Sequence, residues 1–166
     1  MLIFIIITLA YCQDSLNHFQ PKDNETYFIR NIATSFYLSN VLVTERGWFF
    51  NNIIYDIFST SCKHNSEWVF NLQNITYNAL RVYTIHNKYD NSCIDMNMHR
   101  SYDSNIYLNG CNHGAFQYWI IEELEENRKR LKSYVEQMYI SSNTIGNVYL
   151  KENLNKAYQQ WYIEKE

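Results

Sequence analysis

Glycine and proline are nearly missing, at four and one in 166 residues. Tight turns must then be made by short polar residues that tolerate left-handed backbone, and Asn, Asp and Ser are plentiful. Long apolar runs are missing too, except at the start. Residues 1–10 are almost uninterruptedly apolar (Leu2, Ile3, Phe4, Ile5, Ile6, Ile7, Leu9), and Tyr11, Cys12 and Gln13 follow. A run this short cannot cross about 30 Å of hydrocarbon as a helix, which takes roughly 20 residues. It fits the apolar part of a secretory signal, with small Ala10 and Cys12 before a cleavage point at Gln13, although no Lys or Arg precedes it. The alternative is a buried first strand. The expectation is a secreted, extracellular protein with no membrane insertion, divided into a signal peptide (1–12), an N-terminal extension (13–25) and one domain (26–166).

A basic cluster is also lacking. Lys and Arg number 14 against 17 Asp and Glu, and residues 1–12 carry no charge, so the mature chain keeps the formal charge of −3. Phosphate backbones are bound by clustered Lys and Arg, so no nucleic-acid partner is expected. No Gly-rich phosphate loop, nucleophile elbow or His-Glu-x-x-His helix occurs, and no pair of carboxylates falls in a general acid-base pattern. This reads as a non-enzyme without a cofactor. Cys62-Lys63-His64 and Cys111-Asn112-His113 share a Cys-x-His spacing. They lie in different parts of the chain and read as polar loops, so no metal is expected. Asn24-Glu25-Thr26 and Asn74-Ile75-Thr76 are N-glycosylation sequons, which suits export.

What the chain does have is aromatic residues: 15 Tyr, 9 Phe and 4 Trp. Aromatic and β-branched richness favours strands. The pattern repeats. Tyr27, Ile29, Asn31 and Tyr37-Leu38-Ser39 recur 56 positions on as Tyr83, Ile85, Asn87 and Cys93-Ile94-Asp95. Trp68 to Tyr83 and Trp119 to Tyr134 are both 15 residues, with Leu80 and Leu131 holding equivalent places. The third copy continues with Tyr139-Ile140-Ser141, about five residues shorter between its first and second strands. Each copy ends on a tryptophan, in Ser66-Glu67-Trp68, Gln117-Tyr118-Trp119 and Gln159-Gln160-Trp161. Short apolar runs between polar turns predict four strands per copy, the third copy starting at Tyr134-Val135. Four strands cannot bury a core alone, so the three copies should close around a shared one. Residues 122–130, four Glu followed by Arg128, Lys129 and Arg130, read as the polar connection between copies two and three.

The two Gln-x-Trp endings about one repeat apart, with Cys93-Ile94-Asp95 and with Cys111 ahead of Gln117, resemble the ricin-type lectins over nearly all of residues 26–166. The resemblance implies an all-β, single-domain β-trefoil of three pseudo-repeats, each anchored by a buried Trp. It also implies a carbohydrate-binding module for glycans, galactose-type by family analogy. Cys93 and Cys111 would pair in an oxidising compartment, the alternative being two buried thiols. Cys62 stands where Cys111 does, but opposite Tyr37, and is left odd.

A ricin-type sugar site takes an Asp just after the first Cys, an aromatic late in the third strand and polar residues beside Gln-x-Trp. In the second copy Asp95 and Gln117 match, while Asn109 stands where the aromatic is expected and Phe116 replaces the usual Asn. Tyr102, Tyr107 and His113 are the nearby rings. The first and third copies carry Ser39 and Ser141 in place of the Asp, so at most one copy keeps the site, and in part. Asp95 alternatively only stabilises a turn. The rival expectation is a trefoil with decayed sugar sites that binds a protein; in either case a monomer is expected.

Overall fold

The computed structural model describes residues 19–46, 51–96 and 105–166; for strand residues 42–46 and 51–55 only the backbone is described. The expected signal peptide, the start of the extension and Tyr102 lie outside the described residues.

Among the described residues, twelve antiparallel strands form one hydrogen-bonded sheet. The first lobe holds β1 (Thr26–Asn31), β2 (Tyr37–Arg46), β3 (Asn51–Thr60) and β4 (Glu67–Tyr77). The second holds β5 (Leu80–Asn87), β6 (Cys93–Met96), β7 (Ile106–Asn109) and β8 (Trp119–Glu123). The third holds β9 (Lys129–Ser133), β10 (Tyr139–Ser142), β11 (Val148–Lys151) and β12 (Trp161–Lys165). The outer strands of the lobes close a six-stranded barrel in the order β1, β4, β5, β8, β9, β12 and back to β1. Closure removes the exposed edges an open sheet would leave. The inner strands of each lobe pair as hairpins, β2–β3, β6–β7 and β10–β11. This is a β-trefoil.

Period-two alternation sets which side chains point inward. Ile29, Ile85 and Leu131 hold one threefold-related set; Leu38, Ile94 and Ile140 hold another, all fully buried. Trp68, Trp119 and Trp161 sit at 0% exposure, and their indole nitrogens donate to the Leu38, Ile94 and Ile140 carbonyls at 2.8, 3.0 and 3.0 Å. An indole buries large apolar area, and its one polar atom must find an acceptor. Here the acceptor is the same backbone atom three times.

The scarcity of glycine has its structural counterpart. Among the described residues, eleven non-glycine positions have positive φ, and six of them are Asn: 24, 65, 78, 91, 127 and 155. The β1–β2, β5–β6 and β9–β10 turns place Ser35, Asn91 and Gln137 at φ 59, 58 and 58°. Gly146 is needed for a different reason. At φ 91° it donates no space to a side chain, since a Cβ would lie 2.5 Å from the Ser59 carbonyl oxygen. That close approach joins lobes one and three, through Ser59 N–H to Gly146 O (2.8 Å) and a Ser59–Ser142 hydroxyl pair (2.5 Å).

The third lobe corrects the sequence alignment. Cross-strand partners pair Tyr27 with Trp68, Tyr83 with Trp119, and Lys129 with Trp161. The residue equivalent to Tyr27 and Tyr83 is therefore Lys129, not Tyr134, and Leu131 matches Ile85 rather than Leu80. Tyr134 and Val135 lie in the β9–β10 turn. The interval from first to second strand is not shortened in this lobe; the shortening lies between Trp119 and β9.

The polar stretch 122–130 is accordingly less a connection than a tight hairpin. Glu122 pairs with Arg130 and Glu123 with Lys129 across β8–β9, around a 3-10 turn at Glu125–Asn127. Lys129 is only 1% exposed. Its ammonium meets Glu123 Oε2 at 2.8 Å, Asn127 Oδ1 at 2.9 Å and the Asn127 carbonyl at 3.1 Å, and lies 5.2 Å from the centre of the Phe19 ring. A buried ammonium persists only with such partners. Glu123→Ala strands it, and we expect a loss near the lower end of the ~3–5 kcal/mol typical of a broken buried pair, because Glu123 is partly exposed. Urea unfolding followed by tryptophan fluorescence measures it. A loss below about 1 kcal/mol, the value of an exposed pair, would show that the carboxylate contributes nothing specific.

Candidate functional site

The second lobe brings Asp95, Asn109 and Gln117 together. Asp95 lies on β6 opposite Tyr107, Asn109 ends β7, and Gln117 ends the 3-10 turn Ala115–Gln117 that leads into β8. Gln117 is fully buried and uses both ends of its amide. Its Oε1 accepts from the Asn112 N–H (2.9 Å), and its Nε2 donates to the Gly110 carbonyl (2.9 Å) and to Asp95 Oδ2 (2.9 Å). Asn109 Nδ2 donates to the same Oδ2 at 3.2 Å. Asp95 is 4% exposed, and Asn109 lies at the surface.

The third lobe repeats this pattern without the carboxylate. Gln159 Oε1 accepts from the Leu154 N–H (2.9 Å), and Nε2 donates to the Glu152 carbonyl (2.7 Å) and to Ser141 Oγ (3.2 Å). The Gln of Gln-x-Trp is thus a lock: its amide closes the loop before the last strand and ties it to the second strand. The first lobe has Ser66 in that place, and Ser66 Oγ donates to the Lys63 carbonyl instead. Ser39 Oγ there pairs with Thr60 Oγ1 at 3.1 Å.

Of the rings expected near Asp95, Tyr107 is half-buried directly across the strand pair, and His113 is exposed at φ 55°. Phe116, read from sequence as a departure, is 50% exposed one residue before Gln117. Tyr158 holds the same place in the third lobe at 38%. The signal was available in the sequence: a large ring on a polar turn has no core to enter.

Cys93 and Cys111 are joined as a disulfide with Cα atoms 5.1 Å apart, linking the start of β6 to the loop after β7. Closing a loop of 18 residues contributes on the order of 3 kcal/mol in the chain-entropy account. Cys62 is free and exposed. The histidine at the disulfide is not the one spaced for it in sequence. His86, on β5, places Nδ1 3.3 Å from Cys111 Sγ and 3.4 Å from Asn91 Oδ1. Its Nε2 lies 2.8 Å from Thr84 Oγ1 and 2.9 Å from Asn71 Nδ2. Burial lowers the His86 pKa below its ordinary value, which favours the neutral imidazole. Among the described residues, His86, Cys93 and Cys111 form a group with metal-ligand spacing, their donor atoms all within 4.8 Å of one another.

Both sequons lie at the surface, Asn24 in the turn before β1 and Asn74 where the β4–β5 pairing shifts register. A cavity of about 230 Å³ opens at the far end of the barrel, lined by Phe19, Gln20, Leu80, Arg81, Tyr83 and Glu123 among others. None of the residues predicted for the site lines it. Among the described residues no helix is long and apolar enough to cross a membrane.

No family model matches this sequence, and none of the curated proteins does. Solved structures do. A salivary protein from Culex quiquefasciatus of a cysteine- and tryptophan-rich family superposes with a TM-score of 0.67 at 13% identity, over 89% of this chain and 96% of that one. A Polyporus squamosus lectin bound to the sialylated epitope Neu5Acα2-6Galβ1-4GlcNAc gives 0.62 at 21%, over 89% of this chain and 50% of that one. SeviL bound to the asialo-GM1 saccharide gives 0.59 at 15%, over 85% and 97%. The fold these proteins share with this chain is the β-trefoil. At these identities the likeness extends to the fold and no further.

The lock in the third lobe is testable without any ligand. Gln159→Ala removes the donor to Ser141 and leaves the Glu152 carbonyl and Leu154 N–H without it. The expected cost is about 1–3 kcal/mol in urea unfolding, the penalty for unsatisfied buried polar groups. A change within about 0.5 kcal/mol, as at an ordinary surface site, would show that the loop closes without the amide.

Proposed function

We propose that this protein is a secreted, monomeric carbohydrate-binding module of lectin type, not an enzyme, whose second lobe binds a glycan terminus of galactose type. The observation that carries the reading is the Asp95 carboxylate held by two amides, Gln117 Nε2 and Asn109 Nδ2, at the one lobe position that is Ser in the other two. A carboxylate accepts hydrogen bonds only, so it suits vicinal sugar hydroxyls, and orienting it in advance lowers the cost of binding. Tyr107, His113 and the half-exposed Phe116 supply candidate rings for the apolar face of the sugar. Export is read from residues 1–12, and glycosylation from Asn24 and Asn74.

A second reading has its own observation. Ser141 takes the Gln159 amide as Asp95 takes that of Gln117, so the pair holds a lobe together without any sugar. On that reading the sugar sites have decayed and the protein binds another protein.

Asp95→Asn separates the two. It keeps an oxygen for Gln117 but replaces the other acceptor with a donor. Glycan-array binding followed by calorimetry is expected to show about 10- to 150-fold weaker affinity, matching the ~1.5–3 kcal/mol of a hydrogen bond to a charged group. Ser141→Ala should leave binding unchanged. Equal binding by folded Asp95→Asn rejects the second-lobe site. No glycan binding by the unaltered protein gives the protein-partner reading the lead.

A further inference from the structure

The threefold relation exposes a substitution confined to the second lobe. At the start of each lobe's hairpin one residue of the first strand faces one of the second: Arg30 faces Tyr37, Lys132 faces Tyr139, and His86 faces Cys93. Two lobes thus put a cation opposite a ring. The second lobe puts an imidazole opposite a thiol position, and brings a second sulfur, Cys111, to the same point.

We propose that, when the Cys93–Cys111 bond is opened, His86 Nδ1, Cys93 Sγ and Cys111 Sγ bind a zinc-class divalent ion. The separation of His86 Nδ1 from Cys111 Sγ, 3.3 Å, is close to the ~3.5 Å between a nitrogen and a sulfur ligand on a tetrahedral zinc with bonds of about 2.0 and 2.3 Å. The far ring nitrogen already has outer-shell partners: Nε2 sits 2.8 Å from Thr84 Oγ1 and 2.9 Å from the Asn71 side-chain amide, contacts that hold the ring plane as in metal-bound histidines. Two sulfurs and one imidazole are a soft set, suited to zinc over magnesium or calcium. Cys111 is only partly buried, which leaves a path for the ion and a fourth position for water.

The site requires that the lobe keep its shape without the disulfide, and the other lobes show how. Tyr37 and Tyr139 stand in the place of Cys93, yet their hairpins keep the same register, Tyr37 opposite Thr60 and Tyr139 opposite Lys151 as Cys93 is opposite Asn109. In the third lobe Gln159 closes the loop unaided by any disulfide, and Gln117 makes the equivalent bonds here.

The chemistry balances. A dithiol gives two electrons and two protons to the disulfide, becomes a cyclic disulfide, and leaves two cysteine thiols. The divalent ion then displaces both thiol protons to solvent, while His86 binds through the Nδ1 lone pair with its proton on Nε2, donated to Thr84 Oγ1 as the Asn71 side-chain amide turns its oxygen toward the ring. Metal binding and disulfide formation are mutually exclusive.

The test uses the chain carrying Cys12→Ser and Cys62→Ser, so that only the pair in question remains. Protein reduced with a dithiol, freed of it under argon and titrated with Co²⁺ should develop an intense sulfur-to-cobalt charge-transfer band saturating at one ion per chain. The same protein with the disulfide closed should not. His86→Asn should weaken binding at least about tenfold, the smallest effect of losing even an outer-shell partner. In parallel, saturating Zn²⁺ should slow alkylation of Cys111 in the unaltered histidine background by a similar factor, a readout that needs no histidine variant. A reduced protein without the band, equal affinity in His86→Asn, alkylation indifferent to Zn²⁺, or loss of the near-UV tryptophan signal on reduction would each overturn the proposal.

Discussion

Each lobe depends on one indole N–H reaching one carbonyl, from Trp68, Trp119 and Trp161 to Leu38, Ile94 and Ile140. The bond runs from the last strand of a lobe to its second strand, so it couples the barrel to the hairpin that caps it. A ring of this size at 0% exposure leaves no slack in the packing around it. The inward residues of the barrel, Ile29, Ile85 and Leu131, are buried around the same centre. Given that frame, the loop before each tryptophan must return to the barrel at a set place. The Gln117 and Gln159 amides hold it there by satisfying two backbone groups and one side chain apiece.

This arrangement separates stability from ligand chemistry. The group that receives the glutamine amide is a carboxylate in one lobe and a hydroxyl in another, and both complete the lock. Asp95 can therefore be exchanged for Ser at modest structural cost, while a carboxylate's capacity to collect several donors is lost. The first lobe goes further, with Ser66 in place of the glutamine and Ser39 bonded to Thr60. Three lobes that share a fold need not share a site, and the lobe with the carboxylate is also the one with the disulfide.

The tryptophans were legible in the sequence because a rare residue type recurs at a fixed spacing, whereas the disulfide and the Asp95–Gln117 pair were legible through the resemblance to the ricin-type lectins. Lys129 was not. It occupies the place of Tyr27 and Tyr83, but a lysine reads as solvated surface, and the eye passes to Tyr134 five residues on. What hides it is a compensation visible only in three dimensions: Glu123 across the hairpin, the Asn127 oxygens and the Phe19 ring replace the water a lysine would have. His86 escaped for the opposite reason. Its spacing to either cysteine carries no local periodicity, since β5 reaches the β6–β7 hairpin through strand pairing, whereas His113, two residues from Cys111, lies exposed on the loop.

The same contrast governs what happens at the second lobe when redox conditions change. A disulfide constrains mainly the unfolded chain, so opening it lowers stability without dictating a new folded shape. The tryptophan bond and the glutamine lock act in the folded state and remain when the sulfurs part. The lobe that loses its covalent link is then held as the third lobe always is, by Gln117 in the role of Gln159 and by Trp119 in the role of Trp161. With the backbone kept in register, two thiols and a pinned imidazole are left facing one another at the edge of the carboxylate site. Cys93 lies two residues before Asp95 on the same strand and on the same face, as period two requires. Gln117, which holds Asp95, also bonds the Gly110 carbonyl and the Asn112 N–H on either side of Cys111, so the sulfurs and the carboxylate are served by one loop.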